Sequence, residues 1–193
     1  MAPRDVEELK DDYFFKASDY YVTGRFAYLT WATDVCGNLF HHSIEMFLKG
    51  QLLLTMTKKD VRALDHSLPR IWRVFKTKVP DPRLKPYNRT IENIHAFESM
   101  RYPDSNTARG MLIHWEVTRA SLDTLKPGGD KTRGLPKYVI ALEEIDRLVL
   151  LLLELCSRNP KVCLRGRLPR EERQHMLETA NDPWQKYLRD HPE

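Results

Sequence analysis

The stretch HHSIEMFLKG, residues 41–50, places two histidines, a glutamate and a lysine in otherwise apolar sequence. On a helix, His42, Glu45 and Lys49 lie at positions i, i+3 and i+7 and therefore share one side. His41 precedes Glu45 by four residues, and Glu45 precedes Lys49 by four, which is the favourable order for an ion pair. The stretch therefore predicts a buried helix that carries one polar seam.

This polar seam has two chemical interpretations. A histidine with a glutamate three or four residues away can ligate a metal in a helix bundle, but such a site usually needs matching ligands from other helices. We expect no such ligands, and hence no metal and no cofactor. The alternative is that the seam closes polar hydrogen bonds at a contact between helices, and this is the interpretation we favour.

Apolar residues at helical spacing predict most of the remaining structure. The expected helices cover residues 18–32, 35–55, 57–63, 67–79, 90–102, 137–156 and 169–180. Between them, ARGMLIHWEVTRA at residues 108–120 alternates in polarity and predicts a strand, a hairpin or an ordered loop. The predicted fold is all-α, an antiparallel bundle of four to five helices with a small strand-like hairpin or loop insertion.

The chain length of 193 residues suits one domain with a proper core. We expect a polar lead-in over residues 1–17, a bundle over 18–158 with an insertion at about 105–135, and a polar helical tail over 159–193. The apolar helix that ends near residue 156 should be central to the core or part of an oligomer interface.

Cysteine usage and hydropathy predict a cytoplasmic protein. The three cysteines form no CxxC pair and their number is odd, which argues against a disulfide framework or a zinc ribbon. The N-terminal residues include early acids and lack the apolar region of a signal peptide. The longest apolar run, LVLLLLELC, is interrupted by Glu154 and is too short to span a bilayer, so we expect no membrane association.

Basic residues are distributed unevenly. Residues 58–89 contain ten Lys and Arg against three Asp, and residues 157–170 contain five basic residues and no acid. On the helix expected over 67–79, Arg70, Arg73 and Lys76 point away from the apolar stripe. This asymmetry predicts contact with phosphates or an acidic partner, with a solvated helix face as the alternative.

Three motifs together resemble the HEPN domain family (higher eukaryotes and prokaryotes nucleotide-binding). They are HHSIEMFLKGQLL at 41–53 after a tyrosine-rich first helix, DHSL at 65–68, and RYPD at 101–104. The resemblance covers roughly residues 18 to 157. It implies a helical bundle, commonly dimeric, that binds nucleotides or RNA and often acts beside a nucleotidyltransferase partner, as in toxin–antitoxin pairs or in defence against foreign nucleic acid.

The same resemblance raises the question of catalysis. Many members of the family are metal-independent ribonucleases that use an Arg four to six residues before a His. No His follows Arg101 within six residues, and the nearest match, Arg109 to His114, lies in the strand-like stretch. We therefore predict a non-catalytic binding module. The alternatives are an endoribonuclease that uses Arg109 or Arg101 with His114, and a structural or adaptor bundle without a ligand.

Two groups of residues are the candidates for a site. The nucleotide-binding or RNA-binding group is Arg70, Arg73, Arg101 and Asp104, where Arg101 with Asp104 is either a phosphate-binding pair or a salt bridge that closes a helix. The polar seam group is His41, His42, Glu45, Lys49, Asp65 and His66.

Overall fold

The computed structural model describes residues 6–101, 112–124, 137–165 and 171–192, and the chain is mostly helical. The helices are α1 (Val6–Leu29), α2 (Thr33–Leu52), α3 (Lys58–Arg62), α4 (Leu68–Lys78), α5 (Asn88–Ala96), α6 (Arg119–Thr124), α7 (Leu142–Leu155), α8 (Pro160–Arg165), α9 (Glu171–Glu178) and α10 (Asp182–Asp190). Two 3-10 segments, Pro82–Tyr87 and Phe97–Arg101, adjoin α5. The strands are β1 (Leu112–Glu116) and β2 (Lys137–Ala141).

Helices α1 and α2 pack side by side and run antiparallel. The ring centroid of Phe14 lies 6.0 Å from that of Phe47. Nearer the connecting turn, the Ser43 hydroxyl donates a hydrogen bond of 2.8 Å to the Ala17 carbonyl. Residue numbers at these contacts increase along α1 as they decrease along α2, which is the antiparallel arrangement. Helix α1 covers one side of α2 and leaves the other side to contact other elements.

A glycine on α2, Gly37, allows the 3-10 segment Phe97–Arg101 to pack closely against this helix. A Cβ atom at Gly37 would lie 2.0 Å from a ring carbon of Phe97, so no larger residue fits without a shift. Phe97 is fully buried against this spot. The segment is therefore held beside α2, one turn before the polar seam begins at His41.

Helix α4 confirms the amphipathic pattern expected from its sequence. Leu68, Ile71, Trp72 and Phe75 form its buried side. The short helix α3 before it is capped as its spacing indicates, because Thr57 accepts a hydrogen bond of 3.2 Å from the backbone N–H of Asp60.

The strand expected within residues 108–120 is confirmed as β1, but the hairpin alternative is wrong, because β1 pairs with β2 in parallel. The register runs from Leu112 opposite Lys137 to Glu116 opposite Ala141. A parallel pair needs a crossover connection, not a tight turn. The helix expected from residue 137 begins instead at Leu142, since the β-branched and aromatic residues before it favour a pleated strand.

Helix α1 begins at Val6, well before the expected residue 18. Its first turn carries Glu7 and Glu8, which interact favourably with the positive end of the helix dipole. Phe14 and Ala17 are already buried in this early part of the helix. The part of α1 around Phe14 and Ala17, which was expected to be a polar lead-in, therefore belongs to the core.

A buried charged network joins α1 to α7 and to the C-terminal helices. Arg25 forms an ion pair with Asp146, and both side chains have no exposed surface. The Tyr21 hydroxyl donates a hydrogen bond of 2.7 Å to the Asp146 carboxylate. Arg25 also donates through Nε to the Met176 carbonyl at 2.7 Å and through its second terminal nitrogen to the Thr179 carbonyl. Burial raises the pKa of Tyr21 well above its usual value, so this phenol keeps its proton.

Helix α7 is central to the core of a single chain. Its leucines 148, 151, 152 and 153 are buried without any second copy of the protein. The C-terminal helices contribute to the same core through Leu177 and Trp184. In the described ranges, no helix combines the length and the apolarity that crossing a bilayer requires.

Removal of the Asp146 carboxylate should weaken the fold severely. Asp146→Ala leaves the Arg25 guanidinium buried without its counter-charge, and we expect the free energy of unfolding to fall by about 3–5 kcal/mol. Urea denaturation followed by circular dichroism measures the change. Asp190→Ala, at the exposed end of α10, is the matched control and should change stability by less than about 0.5 kcal/mol. Equal losses in the two variants would contradict a special role for the pair.

Candidate functional site

The polar seam is organised around the carboxylate of Glu45, which has no exposed surface. Lys49 Nζ lies 2.7 Å from Glu45 Oε1. His66 Nδ1 lies 3.0 Å from Oε1 and 3.2 Å from Oε2. A buried carboxylate is costly unless it is paired and hydrogen-bonded, and these two partners provide both kinds of contact. The i, i+4 pair expected from sequence is confirmed.

Asp65 reaches the seam through its backbone. Its carbonyl accepts a hydrogen bond of 2.6 Å from Lys49 Nζ, while its side chain is 82% exposed. The φ angle of Asp65 is 55°, a left-handed conformation that Asp tolerates better than most residues. This conformation occurs in the turn that brings His66 to Glu45.

The two adjacent histidines occupy different environments near Glu45. His41 is fully buried, with Nδ1 3.8 Å from Glu45 Oε2 and 3.5 Å from Glu98 Oε2. His42 is 23% exposed, with Nδ1 3.9 Å from Glu45 Oε2. The ring of His41 stacks on that of His95, and its Nε2 lies 3.4 Å from His95 Nδ1. Three imidazoles and two carboxylates therefore meet in one small volume.

Glu98 is the second carboxylate of the site and comes from the 3-10 segment. Arg101 donates a hydrogen bond of 2.7 Å to Glu98 Oε1, which leaves Oε2 turned toward His41. Burial raises the pKa of Glu98, but the hydrogen bond from Arg101 and the proximity of His41 outweigh it and bring the pKa below its usual value. Arg101 therefore forms a salt bridge at the end of this segment, and its partner there is Glu98.

Both histidines of the pair are held neutral near pH 7. Burial lowers the pKa of His41 to about 4, although Glu98 and Glu45 favour the protonated ring. Burial also lowers the pKa of His42, and Arg101 and His66 add to this effect while Glu45 opposes it. Each neutral ring has one nitrogen lone pair available to accept a hydrogen bond or to bind a metal.

The same cluster contains the ligand atoms that a metal ion would need. One ligand atom each from His41, His42 and Glu45 lies within 4.8 Å of the other two, and no other such group occurs in the part of the chain that the structure describes. Imidazole nitrogen and carboxylate oxygen are ordinary ligands of zinc.

A cleft includes two residues that contact the seam, His95 and Glu98. Its volume is about 500 Å³, and it is lined by His95, Ala96, Glu98, Ser99, Lys137 and Tyr138. A larger cleft of about 1040 Å³ lies between α7 and α10, and neither Glu98 nor His95 lines it. The smaller cleft is the more relevant to chemistry because it shares Glu98 and His95 with the histidine cluster.

The expected basic residues are exposed. Arg70 and Arg73 project from α4, and neither forms an ion pair with any described residue. His114 lies on β1 opposite Val139. Asp104 and Arg109 lie outside the described residues, so the pairs Arg101 with Asp104 and Arg109 with His114 stay predictions.

Two residues of the site, His95 and Glu98, were not predicted from the sequence. Each follows a buried isoleucine by four residues, His95 after Ile91 and Glu98 after Ile94. That spacing places them at the edge of the apolar stripe of α5 and its 3-10 extension, where they can contact α2. The pattern was therefore present, but it does not indicate which neighbouring helix these side chains meet.

Acid should weaken the fold because His41 is buried in its neutral form. The pKa of His41 is about 4 in the folded chain, against 6.5 for an ordinary imidazole. Between these values the unfolded state binds the additional proton, so the free energy of unfolding falls as the pH is lowered. We expect a loss of about 2 kcal/mol between about pH 7 and about pH 5, measured by urea denaturation in EDTA.

A matched pair of variants assigns this pH dependence. His41→Gln should flatten it, whereas His175→Gln, the same change at an exposed position on α9, should leave it intact. A pH profile of His41→Gln that parallels the unmodified protein would show that other groups are responsible.

Comparison of the chain with protein-family models, with curated proteins and with solved structures gives no match in any of the three. The chemistry of the site must therefore be inferred from its own residues.

Proposed function

We propose that this chain is a HEPN-like helical module that binds RNA or a nucleotide without cleaving it. The observation that carries the proposal is the exposure of Arg70 and Arg73 without carboxylate partners among the described residues. A guanidinium group that is not neutralised within the protein is free to form two parallel hydrogen bonds to a phosphate.

The seam connects these arginines to Arg101. Helix α4 starts at Leu68, directly after the turn that places His66 on Glu45. Arg101 and His66 both lower the pKa of His42 electrostatically, so both lie near that ring. Basic and imidazole side chains near one another suit contact with a phosphate backbone.

Several parts of the proposal come from the resemblance to the HEPN family. They are the antiparallel bundle of four to five helices, the homodimer, the cytoplasmic location and a nucleotidyltransferase-type protein partner. The antiparallel packing of α1 on α2 is consistent with the bundle. The apolar residues of α7 are covered within one chain, so a dimer would have to use a different surface.

A salt series of RNA binding tests the proposal. Fluorescence anisotropy with a labelled single-stranded RNA of mixed sequence, in EDTA, should show affinity that falls linearly with salt on logarithmic axes. Arg70→Gln with Arg73→Gln should weaken binding and reduce the slope by about 1.4, at about 0.7 for each lost phosphate contact. Lys186→Gln with Arg189→Gln on α10 removes the same charge elsewhere and should preserve the slope.

The same samples separate the alternatives. Absence of binding at low salt would favour a structural or adaptor bundle. Cleavage of the RNA in EDTA that is lost in His114→Ala would favour the endoribonuclease with Arg109 or Arg101 as the partner of His114. Equal loss of affinity in the α4 and α10 variants would indicate general charge attraction and would remove α4 as the binding element.

A further inference from the structure

We propose that the seam is a zinc site in which Nδ1 of His41, Nδ1 of His42, Oε2 of Glu45 and Oε2 of Glu98 hold one ion. This inference goes beyond RNA binding and does not depend on it. It also reverses the expectation from sequence that no ligand from another element would match the histidine pair. Glu98, from the 3-10 segment, supplies that ligand.

Three of the four atoms already lie close together. His41 Nδ1 lies 3.8 Å and His42 Nδ1 lies 3.9 Å from Glu45 Oε2. Zinc bonds to nitrogen and oxygen of about 2.0–2.2 Å place tetrahedral ligand atoms roughly 3.3–3.6 Å apart, so these distances need to close by a few tenths of an ångström. Glu98 Oε2 lies 3.5 Å from His41 Nδ1 but outside this group of three, so the Glu98 side chain must rotate further to reach the ion.

Two of these atoms are buried without a hydrogen-bond partner. They are His41 Nδ1 and Glu98 Oε2, which face one another. A buried polar atom without a partner is costly and uncommon, and a bound ion is one of its recognised explanations. A cation between them would satisfy both atoms at once. Because the His41 side chain has no exposed surface, bulk water does not reach this nitrogen to satisfy it.

The remaining atoms of the carboxylates are anchored from outside, as is usual around metal ions. Lys49 donates a hydrogen bond to Oε1 of Glu45, and His66 Nδ1 lies 3.0 Å from Oε1 and 3.2 Å from Oε2, so the carboxylate is held with Oε2 near the histidine pair. Arg101 binds Oε1 of Glu98 in the same way. Such outer contacts fix the orientation of ligating side chains and are needed for tight binding.

Access also fits. With Nδ1 of His41 bound to the ion, the proton of that ring sits on Nε2, which lies 3.4 Å from His95 Nδ1. The partial exposure of His42 provides an entry path for the ion.

The ligand set favours zinc over the hard cations. Two imidazole nitrogens and two carboxylate oxygens suit zinc, whereas calcium and magnesium take oxygen ligands in larger number. The three free cysteines, Cys36, Cys156 and Cys163, are buried and belong to no such group among the described residues.

Calorimetric titration of the chelator-treated full chain with Zn²⁺ tests the site. We expect one ion per chain. Glu98→Gln and His42→Gln, both at partly exposed positions that should tolerate substitution, should each weaken affinity by about tenfold or more. Glu92→Gln on α5 is the matched control, since Glu92 is exposed and faces solvent, and its affinity should equal that of the unmodified protein. Circular dichroism confirms that each variant is folded.

Substitution with Co²⁺ identifies the ligands. A tetrahedral nitrogen and oxygen site gives visible absorption without the near-ultraviolet band of thiolate coordination, and Glu98→Gln should alter that spectrum. Failure of the unmodified chain to bind Zn²⁺ would overturn the proposal and leave a direct contact between His41 and Glu98. Equal affinity in Glu98→Gln and Glu92→Gln, or a thiolate band, would place the ion elsewhere.

Discussion

The carboxylate of Glu45 is buried on α2 without exposed surface, and side chains from two elements are arranged to compensate it. Lys49 reaches it from the next turn of α2, and His66 reaches it from the turn before α4. The hydrogen bond from Lys49 to the Asp65 carbonyl fixes that turn further. Because α4 starts two residues after His66, compensation of one buried charge also sets where Arg70 and Arg73 emerge on the surface.

The same carboxylate links the fold to the chemistry. Its second oxygen faces His41 and His42, and Glu98 approaches His41 from the other side because Phe97 is seated on Gly37. The histidines are thus placed between two carboxylates whose outer oxygens are already bound by cations. An arrangement of this kind can be a structural contact or a metal site, and the unpaired atoms on His41 and Glu98 favour the metal.

A second buried charge pair, Arg25 with Asp146, joins α1 to α7. Arg25 pairs with Asp146 on α7 and donates to the carbonyls of Met176 and Thr179, so the C-terminal helices are tied to the first helix. Sequence reasoning classed this tail as polar and missed Arg25. Its contacts are with residues more than a hundred positions away, and no local pattern reports such partners.

What the sequence predicted well was local. Helical spacing was enough to place Glu45 beside Lys49 and to give the buried stripe of α4, because both depend on neighbours within a few turns. The parallel pairing of β1 with β2 and the approach of Glu98 to His41 could not be predicted, since each depends on how distant segments meet. The role of Asp65 could not be predicted for another reason. Its backbone carbonyl accepts the hydrogen bond from Lys49, and a backbone contact does not depend on the side chain that the sequence specifies.

A double-mutant cycle on Glu45 and Lys49 tests most directly whether this buried charge organises the site. Free energies of unfolding are measured for the unmodified chain, Glu45→Gln, Lys49→Met and the double variant. We expect Lys49→Met alone to cost about 3–5 kcal/mol, because it removes the cation paired with the buried carboxylate and leaves only the contact with His66, and to cost less than about 1 kcal/mol once Glu45 is Gln. The same cost in both backgrounds would contradict the central role of the Glu45 charge.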